Sequence, residues 1–182
     1  MDRTAAEKNL SLRDPPQAEN PASQDSIIIR SRKEQKMSFG FVFREEDCIG
    51  CGACQIACKD ANNLPVGVFF RRVKTTEKMT EQGLVCHFVM ESCRHCGNPH
   101  CLNACPHDAI LKGQDGAVRI LSASCTGCGA CVQACPFEMI SLLKTGGESC
   151  AAKCDSCLAL RLAGKEPACV AACMTGALTL QK

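Results

Sequence analysis

Sixteen of the eighteen cysteines in this 182-residue chain fall into four groups whose short internal spacings are typical of metal binding. Only Cys86 and Cys150 stand outside these groups. The groups, numbered one to four in chain order, are Cys48, Cys51, Cys54 and Cys58; Cys93, Cys96, Cys101 and Cys105; Cys125, Cys128, Cys131 and Cys135; and Cys154, Cys157, Cys169 and Cys173. Because thiolates bind soft metal ions and iron–sulfur clusters, the cysteines are predicted to be metal ligands.

Groups one and three share one spacing, with two residues between each of the first three cysteines and three residues before the fourth. In bacterial two-cluster ferredoxins this spacing wraps three thiolates around one [4Fe–4S] cluster and sends the fourth cysteine to the other cluster. Glycines lie between these cysteines, where backbone N–H groups have to approach sulfur: Gly50, Gly52, Gly127 and Gly129. The chain is therefore predicted to bind four [4Fe–4S] clusters.

Two other metal-site classes share part of this spacing. The eleven-residue gap in group four fits a zinc site built from two cysteine pairs, but the cysteines of groups one and three follow one another too closely for zinc. Cys150, Cys154 and Cys157 match the spacing of radical S-adenosylmethionine enzymes, yet too little sequence follows them for the barrel that such enzymes need. Cys150 stays open as a competitor of Cys169 for a ligand position, and Cys86 is predicted to be a small buried hydrophobe.

The composition points to clusters as part of the core and to a cytoplasmic location. Trp and Tyr are absent and aromatic residues make up 4% of the chain, so packing alone offers little stabilisation. The first forty residues show no signal peptide, and no apolar stretch is long enough to cross a membrane. A net charge of +2 does not favour nucleic-acid binding. No nucleotide-binding glycine motif occurs either, so the sequence predicts electron transfer without a catalytic residue.

Charged and imidazole side chains near the cysteines are not predicted to be ligands. We expect the histidines to lie behind the ligands or on the surface, since each cluster already has four thiolates: His87, His95, His100 and His107. We expect the basic side chains near the clusters to be solvated: Lys59, Arg71, Arg72, Arg94, Lys153 and Arg161.

Four segments carry a family resemblance, and their order and spacing are specific to it. They read FREEDCIGCGACQIACKDANN, MESCRHCGNPHCLNACPHDAI, SCTGCGACVQACPFEMI and AAKCDSCLALRLAGKEPACVAACMTGAL. From about Phe39 to Leu180 the sequence resembles the four-cluster iron–sulfur subunits of molybdenum and tungsten pterin oxidoreductases, of which the dimethyl sulfoxide reductase B subunit is the best-known type. Subunits of formate dehydrogenase, formate hydrogenlyase, thiosulfate reductase and polysulfide reductase share the layout.

The resemblance implies an α+β fold of two nested bacterial 2[4Fe–4S] ferredoxin-like modules with short helices and β-hairpins. Residues 37–92 plus 146–182 would form the outer module around groups one and four, and residues 93–145 the inner module around groups two and three. Each cluster would take three ligands from one group and one from its module partner. The implied ligand sets are site A, Cys48, Cys51, Cys54 and Cys173; site B, Cys154, Cys157, Cys169 and Cys58; site C, Cys93, Cys96, Cys101 and Cys135; and site D, Cys125, Cys128, Cys131 and Cys105.

The resemblance also implies a non-catalytic subunit that relays electrons to or from a molybdenum or tungsten oxidoreductase, such as an aldehyde oxidoreductase or a formate dehydrogenase. A free polyferredoxin and an assembly factor stay open as alternatives. Residues 1–36 are expected to be a flexible extension, because they are polar and rich in proline. Within them the apolar triplet Ile27–Ile29 is a candidate docking segment for a partner or for another copy of the protein.

Overall fold

A computed structural model describes residues 40–145 and 147–181, which form short helices and short strands. The predicted α+β class is confirmed, and the triplet Ile27–Ile29 lies outside the described residues. Two 3-10 turns cover Glu45–Asp47 and Ser122–Ser124. The other elements are β1 (Gly40–Phe43), α1 (Ala53–Ala61), β2 (Arg71–Thr80), β3 (Gly83–Ser92), α2 (His100–Asn103), β4 (Ile110–Lys112), β5 (Val118–Ile120), α3 (Ala130–Ala134), β6 (Ser141–Thr145), β7 (Glu148–Ala152), α4 (Leu158–Leu162), α5 (Ala168–Ala171) and β8 (Leu178–Gln181).

All strands of the described residues pair in antiparallel twos. β2 pairs with β3, β4 with β5 and β6 with β7, each as a hairpin of sequence neighbours. The exception is β1, which pairs with β8 from the other end of the described residues, so that Gly40 lies opposite Gln181. The first and last described strands are thus joined, and α1 also packs against α5.

The β2–β3 hairpin is long, and most of it is exposed. The apolar segment Leu84–Met90 lies inside β3, whereas only the last three residues of the segment Val68–Val73 belong to β2. Cys86 lies opposite Glu77 in this hairpin and is exposed. The prediction of a buried Cys86 is therefore wrong, because the outer half of the hairpin projects beyond the body and neither of its faces is covered.

Cysteines form part of both hydrophobic cores. One core contains Cys58, Cys154 and Cys169 packed with apolar side chains, of which Phe70 and Leu178 are the largest. A second, smaller core holds a single buried cysteine, Cys131 of α3, with one residue each from β4, β5 and β7 and the residue before β6: Ile110, Val118, Ala151 and Ile140. Thiols therefore occupy positions that large apolar side chains fill in ordinary domains of this size.

Glycines start the two helices that follow the closely spaced cysteines of groups one and three. Gly52 precedes α1 with φ of 71°, and Gly129 precedes α3 with φ of 80°. A left-handed residue here turns the backbone sharply, so that one cysteine before the turn and one in the helix face the same volume. Glycine adopts this conformation without the steric cost that a Cβ atom brings.

Candidate iron–sulfur sites

The four cysteines of site D line one cavity of about 310 Å³. Cys125, Cys128 and Cys131 come from the loop before α3 and from α3 itself, while Cys105 follows α2. Buried apolar residues of β4 and β7 close the cavity, namely Ile110 and Ala151. The cysteine that ends group two thus lies with the first three cysteines of group three.

Site C is the reciprocal arrangement in a cavity of about 380 Å³. Cys93, Cys96 and Cys101 line it together with Cys135, the last cysteine of group three. Lys153 lines the same cavity from the segment after β7. Groups two and three therefore exchange their fourth cysteines.

The exchange recurs between groups one and four. Cys48, Cys51 and Cys54 line a cavity of about 380 Å³ together with Cys173, which is site A. Cys58 points elsewhere, into the core that holds Cys154 and Cys169 of site B. Burial raises the pKa of the Cys58 thiol to about 12, and the neighbouring charges of Cys169 and Cys157 add to that rise. Cys58 therefore lies with Cys154, Cys157 and Cys169 of group four, and Cys54 of its own group packs against the edge of this core.

Backbone N–H groups point at cysteine sulfur atoms in all four sites. Each of these donors lies 3.3–3.5 Å from a sulfur: Gly50 N to Cys48, Met139 N to Cys135, Ala151 N to Cys125, Ser156 N to Cys154 and Leu178 N to Cys173. Such donors stabilise a sulfur that carries negative charge, as a metal-bound thiolate does. The loops are therefore built to receive thiolates.

Hydrogen bonding outweighs burial at two of these sulfur atoms. Burial opposes the ionisation of Cys125, yet donors from Ala151, Gly127 and Cys150 lower its pKa. Burial likewise opposes ionisation of Cys173, and donors including Leu178 N and the Thr175 hydroxyl lower its pKa. At the more enclosed thiols burial dominates and raises the pKa: Cys54, Cys101, Cys131, Cys154, Cys157 and Cys169. Those thiols need a metal to hold them as thiolates.

Hairpins cover the loops of groups one and three in matching ways. A Cβ atom on Gly50 would lie 2.2 Å from the Phe88 ring of β3, and one on Gly127 would lie 2.2 Å from the Ser149 carbonyl oxygen of β7. Both glycines have φ of +68°, which also disfavours other residues. The predicted need for glycine between these cysteines is explained by this close approach.

Two basic side chains that the sequence predicted to be solvated are buried, so that prediction is wrong for them. Arg71 is 1% exposed and Lys153 is 6% exposed, and among the described residues no carboxylate pairs with either. Arg71 stacks on Phe41 at 4.4 Å, and within the described residues its Nε and Nη2 atoms have no hydrogen-bond acceptor. Its positive charge favours ionisation of five surrounding cysteines: Cys54, Cys58, Cys154, Cys157 and Cys169.

These buried cations test whether the sites fit an iron–sulfur cluster. A buried cation without a carboxylate is costly unless other negative charge surrounds it, and four thiolates on a cluster supply that charge. Within residues 40–145 and 147–181, no three Cys, His, Asp or Glu side chains converge closely enough for a single metal ion. Thiols that surround a cavity, rather than a point, fit a [4Fe–4S] cluster, whereas a tetrahedral zinc site needs convergence on one atom.

The other basic side chains near the sites lie nearer the surface. Arg94 stacks on Phe137 at 4.1 Å and is exposed. Arg161 is half-buried and donates to Asp115 at 2.8 Å, and this carboxylate also bonds Arg119. This charged cluster ties the loop after β4 to α4.

The histidines divide into one buried and three exposed side chains. His95 is buried between two ligands of site C and accepts a hydrogen bond from the Val118 N–H at Nδ1, at 3.0 Å. Burial, together with the charges of Lys153 and Arg119, lowers the pKa of His95 to about 3. Its imidazole is therefore neutral. The exposed histidines are His87, which bonds Glu45 at 2.7 Å, His100 and His107.

Cys150 lies beside site D and not beside site B. It pairs with Leu143 across the β6–β7 hairpin, its thiol donates to the Ala151 carbonyl oxygen at 3.5 Å, and it interacts with Cys125. Cys169, by contrast, is buried in the core with Cys58 and Cys154. The alternative in which Cys150 replaces Cys169 is therefore not the arrangement that the structure has.

Comparisons with known proteins identify the domain type and the relatives of this chain. Two family models described as 4Fe-4S dicluster domains match residues 84–182 and 47–109. The sequence is 42% identical over 139 residues to the thiosulfate reductase electron transfer subunit PhsB of Salmonella typhi, an alignment that covers 74% of this protein and 70% of the relative. It is 36% identical to the B subunit of polysulfide reductase of Wolinella succinogenes, with 78% and 74% covered.

A third relative extends the set to another reductase. The sequence is 34% identical to the B subunit of anaerobic dimethyl sulfoxide reductase of Haemophilus influenzae, with 77% of this protein and 72% of the relative covered. None of the described helices is long and apolar enough to cross a membrane. The chain therefore belongs to the ferredoxin-like electron-transfer subunits of molybdenum oxidoreductases, of the dimethyl sulfoxide reductase B-subunit type, and its cofactors are four [4Fe–4S] clusters.

Proposed function

We propose that this chain is the non-catalytic subunit that carries electrons to or from a molybdenum or tungsten active site on a partner. The main observation that supports this proposal is that the last cysteine of each group lies with the first three cysteines of another group. We therefore assign the ligands as sites A to D. When bound, a [4Fe–4S] cluster accepts and releases one electron at a time, which is the chemistry that the protein needs from it.

The sites follow one another in the order A, B, C, D. Cys54 of site A interacts with Cys169 of site B. Cys154 of site B interacts with Cys93 of site C. Cys131 of site D interacts with Cys101 of site C. Cys54 of site A and Cys93 of site C also pack against the core that holds three cysteines of site B, and Cys101 and Cys135 of site C pack against the core that contains Cys131 of site D. We therefore infer a single relay with sites A and D at its ends.

Both ends of this relay reach the surface. Cys51 of site A and Cys128 of site D are exposed, whereas the buried cysteines include three of the four in site B. Beside Cys51, the apolar side chains of Ile49 and Met174 are 58% and 78% exposed. We infer that electrons enter and leave near these two cysteines, with a partner covering at least one end.

The nested module arrangement is part of the proposal. The outer module comprises residues 37–92 plus 146–182, and the inner module residues 93–145. The pairing of β1 with β8 and the packing of α1 on α5 support the outer module, since both join the two separate stretches of sequence. The packing of α2 on α3 supports the inner one.

The partner is proposed to be the catalytic subunit of a molybdenum or tungsten oxidoreductase in the cytoplasm. The sequence resemblance suggests an aldehyde oxidoreductase or a formate dehydrogenase. The names of the relatives add the reductases of thiosulfate, polysulfide and dimethyl sulfoxide as partners to test. Residues 1–36 are proposed to dock on that partner or on another copy of the protein.

Co-purification from the native organism tests this function against a free polyferredoxin and an assembly factor. A relay subunit predicts a stable stoichiometric complex with a catalytic subunit, and visible bleaching of its iron–sulfur absorbance when the substrate donor is added anaerobically. A protein that purifies alone, or a complex in which neither substrate nor acceptor changes that absorbance, contradicts the proposal.

The ligand assignment has its own test in a matched pair of variants. Cys58→Ser is expected to alter the signal of the cluster at site B, and Cys54→Ser that of the cluster at site A, because the two cysteines lie in different sites. Electron paramagnetic resonance (EPR) of the reduced proteins compares them, with Cys86→Ser as the control on the exposed hairpin. Loss of the same signal in both ligand variants would refute the exchanged assignment.

A further inference from the structure

Lys153 is a buried side chain whose ammonium group reaches a proposed cluster ligand. It follows β7 and is 6% exposed. Its Nζ lies 3.3 Å from the sulfur of Cys93 and 2.9 Å from the carbonyl oxygen of Cys154, and it also donates to the Val118 carbonyl. One nitrogen therefore touches a ligand of site C and the backbone of a ligand of site B.

The contacts of this nitrogen identify its charge state. An ammonium group has three N–H donors and no acceptor, and here it meets three acceptors. A neutral amine would donate only two of these hydrogen bonds and would turn its lone pair toward the third acceptor. Lys153 is therefore a buried cation, and no carboxylate pairs with it among the described residues.

Among the described residues that line the site C cavity, no other buried side chain carries a positive charge, and the buried Arg119 nearby is paired with Asp115. Arg94 and His100 line the cavity but are exposed, so water screens them. His95 lines the cavity and is buried, but it uses Nδ1 as an acceptor for the Val118 N–H. An imidazole that accepts at one nitrogen is neutral. Lys153 is thus the one buried positive charge along this cavity in the described part of the protein.

We propose that Lys153 sets the reduction potential of the cluster at site C, holding it higher than the same four cysteines would without this cation. The inference rests on the proposed function, because it takes Cys93 as a ligand of that cluster. Reduction adds one negative charge to the cluster, and a cation at hydrogen-bond distance in a dry site stabilises the reduced form more than the oxidised form. The oxidised cluster gains less, so the potential rises.

The position between two sites adds a second consequence. Sites B and C each gain negative charge on reduction, and neighbouring reduced clusters repel each other. Lys153 contacts Cys93 on one side and the Cys154 carbonyl on the other, so its charge lowers this repulsion. Lys153 therefore influences electron transfer between the two proposed modules through its charge.

The test is an anaerobic redox titration of the purified protein followed by EPR. Lys153→Met removes the charge while keeping a long side chain, and Lys153→Arg keeps the charge. Lys78→Met is the control, since Lys78 lies on the exposed part of β2. The cluster at site C is identified as the signal that changes in Cys135→Ser protein.

In Lys153→Met protein, the ratio of reduced to oxidised cluster at site C is expected to fall at least tenfold at a fixed solution potential, which corresponds to about 59 mV for one electron. Lys153→Arg and Lys78→Met are expected to stay near the wild-type value. An unchanged site C potential in Lys153→Met protein with full iron content overturns the inference but leaves the proposed function intact. Wild-type protein that binds no iron overturns the proposed function itself.

A second measurement needs no substitution, in case Lys153→Met protein loses its clusters. Wild-type protein is labelled with ¹⁵N at the lysine side chains and examined by pulsed EPR in the reduced state. A ¹⁵N coupling on the site C cluster is expected, because among the described lysines only Lys153 has a hydrogen bond to cysteine sulfur. A site C cluster with no such coupling overturns the inference.

Discussion

Replacing Gly127 by alanine is expected to loosen the cluster at site D far more than the same change at Gly129. A Cβ atom on Gly127 would lie 2.2 Å from the Ser149 carbonyl oxygen and 2.8 Å from its carbonyl carbon. These are backbone atoms of β7, whose pairing with β6 fixes them. Two residues further along, the Ala151 N–H donates to the Cys125 sulfur at 3.3 Å. A displaced β7 therefore weakens a contact of the cluster ligand as well.

Both substitutions place alanine at a positive φ, and only Gly127→Ala also creates a steric overlap. Both glycines have positive φ, +68° and +80°, so alanine costs about 1–2 kcal/mol at either position. At Gly129 the new Cβ would meet nothing nearer than Leu142 at 3.6 Å, an ordinary contact. At Gly127 the overlap adds about 1–3 kcal/mol of overpacking. The difference corresponds to cluster loss that is about fivefold to 150-fold faster in Gly127→Ala protein than in Gly129→Ala protein.

Release of iron to a chelator under anaerobic conditions measures this difference. Both variants and the wild-type protein are mixed with the chelator at one temperature, and the rate of iron release from each is compared. The site D cluster of Gly127→Ala protein is expected to be lost first, with Gly129→Ala within about thirtyfold of the wild-type rate. Equal rates for the two variants would refute the steric argument.

Three further results are expected. Gly50→Ala is expected to speed loss of the site A cluster, and Phe88→Ala added to it to reverse the steric part of that effect but not the cost of positive φ, because the three atoms nearest the new Cβ all belong to the Phe88 ring; no rescue would contradict this. Burial opposes the ionisation of Asp115, but hydrogen bonds from two arginines lower its pKa from 3.8 to about 2. The Asp115 carboxylate therefore stabilises the fold fully above pH 4, and this stabilisation decreases as the pH falls toward 2. Asp115→Asn is therefore expected to lower the free energy of unfolding by about 1 kcal/mol at pH 7, measured by urea denaturation of the cluster-loaded protein, and an unchanged midpoint would count against it. Cys86→Ala and Cys150→Ala are each expected to keep all four cluster signals, and a lost signal in either would show a ligand outside sites A to D.

The sequence was sufficient for the kind of site and for the fold class. Cysteine spacing predicted iron–sulfur chemistry because a cluster restricts how closely its ligands can follow one another. Glycines between the cysteines predicted tight loops, and the structure adds the reason for Gly50 and Gly127, which is a hairpin packed against each. Short helices and hairpins followed from the family resemblance.

The burial of Lys153 and Arg71 could not be predicted from the sequence. A lysine or arginine beside a cysteine is normally solvated, and nothing local distinguishes these two. The acceptors of Lys153 come from three parts of the sequence, Cys93, Val118 and the adjoining Cys154, so its environment exists only after folding. The prediction for Cys86 was wrong in the opposite direction, because its apolar neighbours indicated burial but the side chain lies exposed on a hairpin that projects into solvent.

Iron and acid-labile sulfide content of the anaerobically purified protein tests the central claim most directly. Four [4Fe–4S] clusters predict about sixteen iron atoms and about sixteen sulfides for each polypeptide, with broad visible absorbance that bleaches on reduction. Removal of the metal is expected to unfold the protein, because cysteines form part of both cores. Zinc in place of iron, or about half the predicted iron in fully folded protein, would contradict the account.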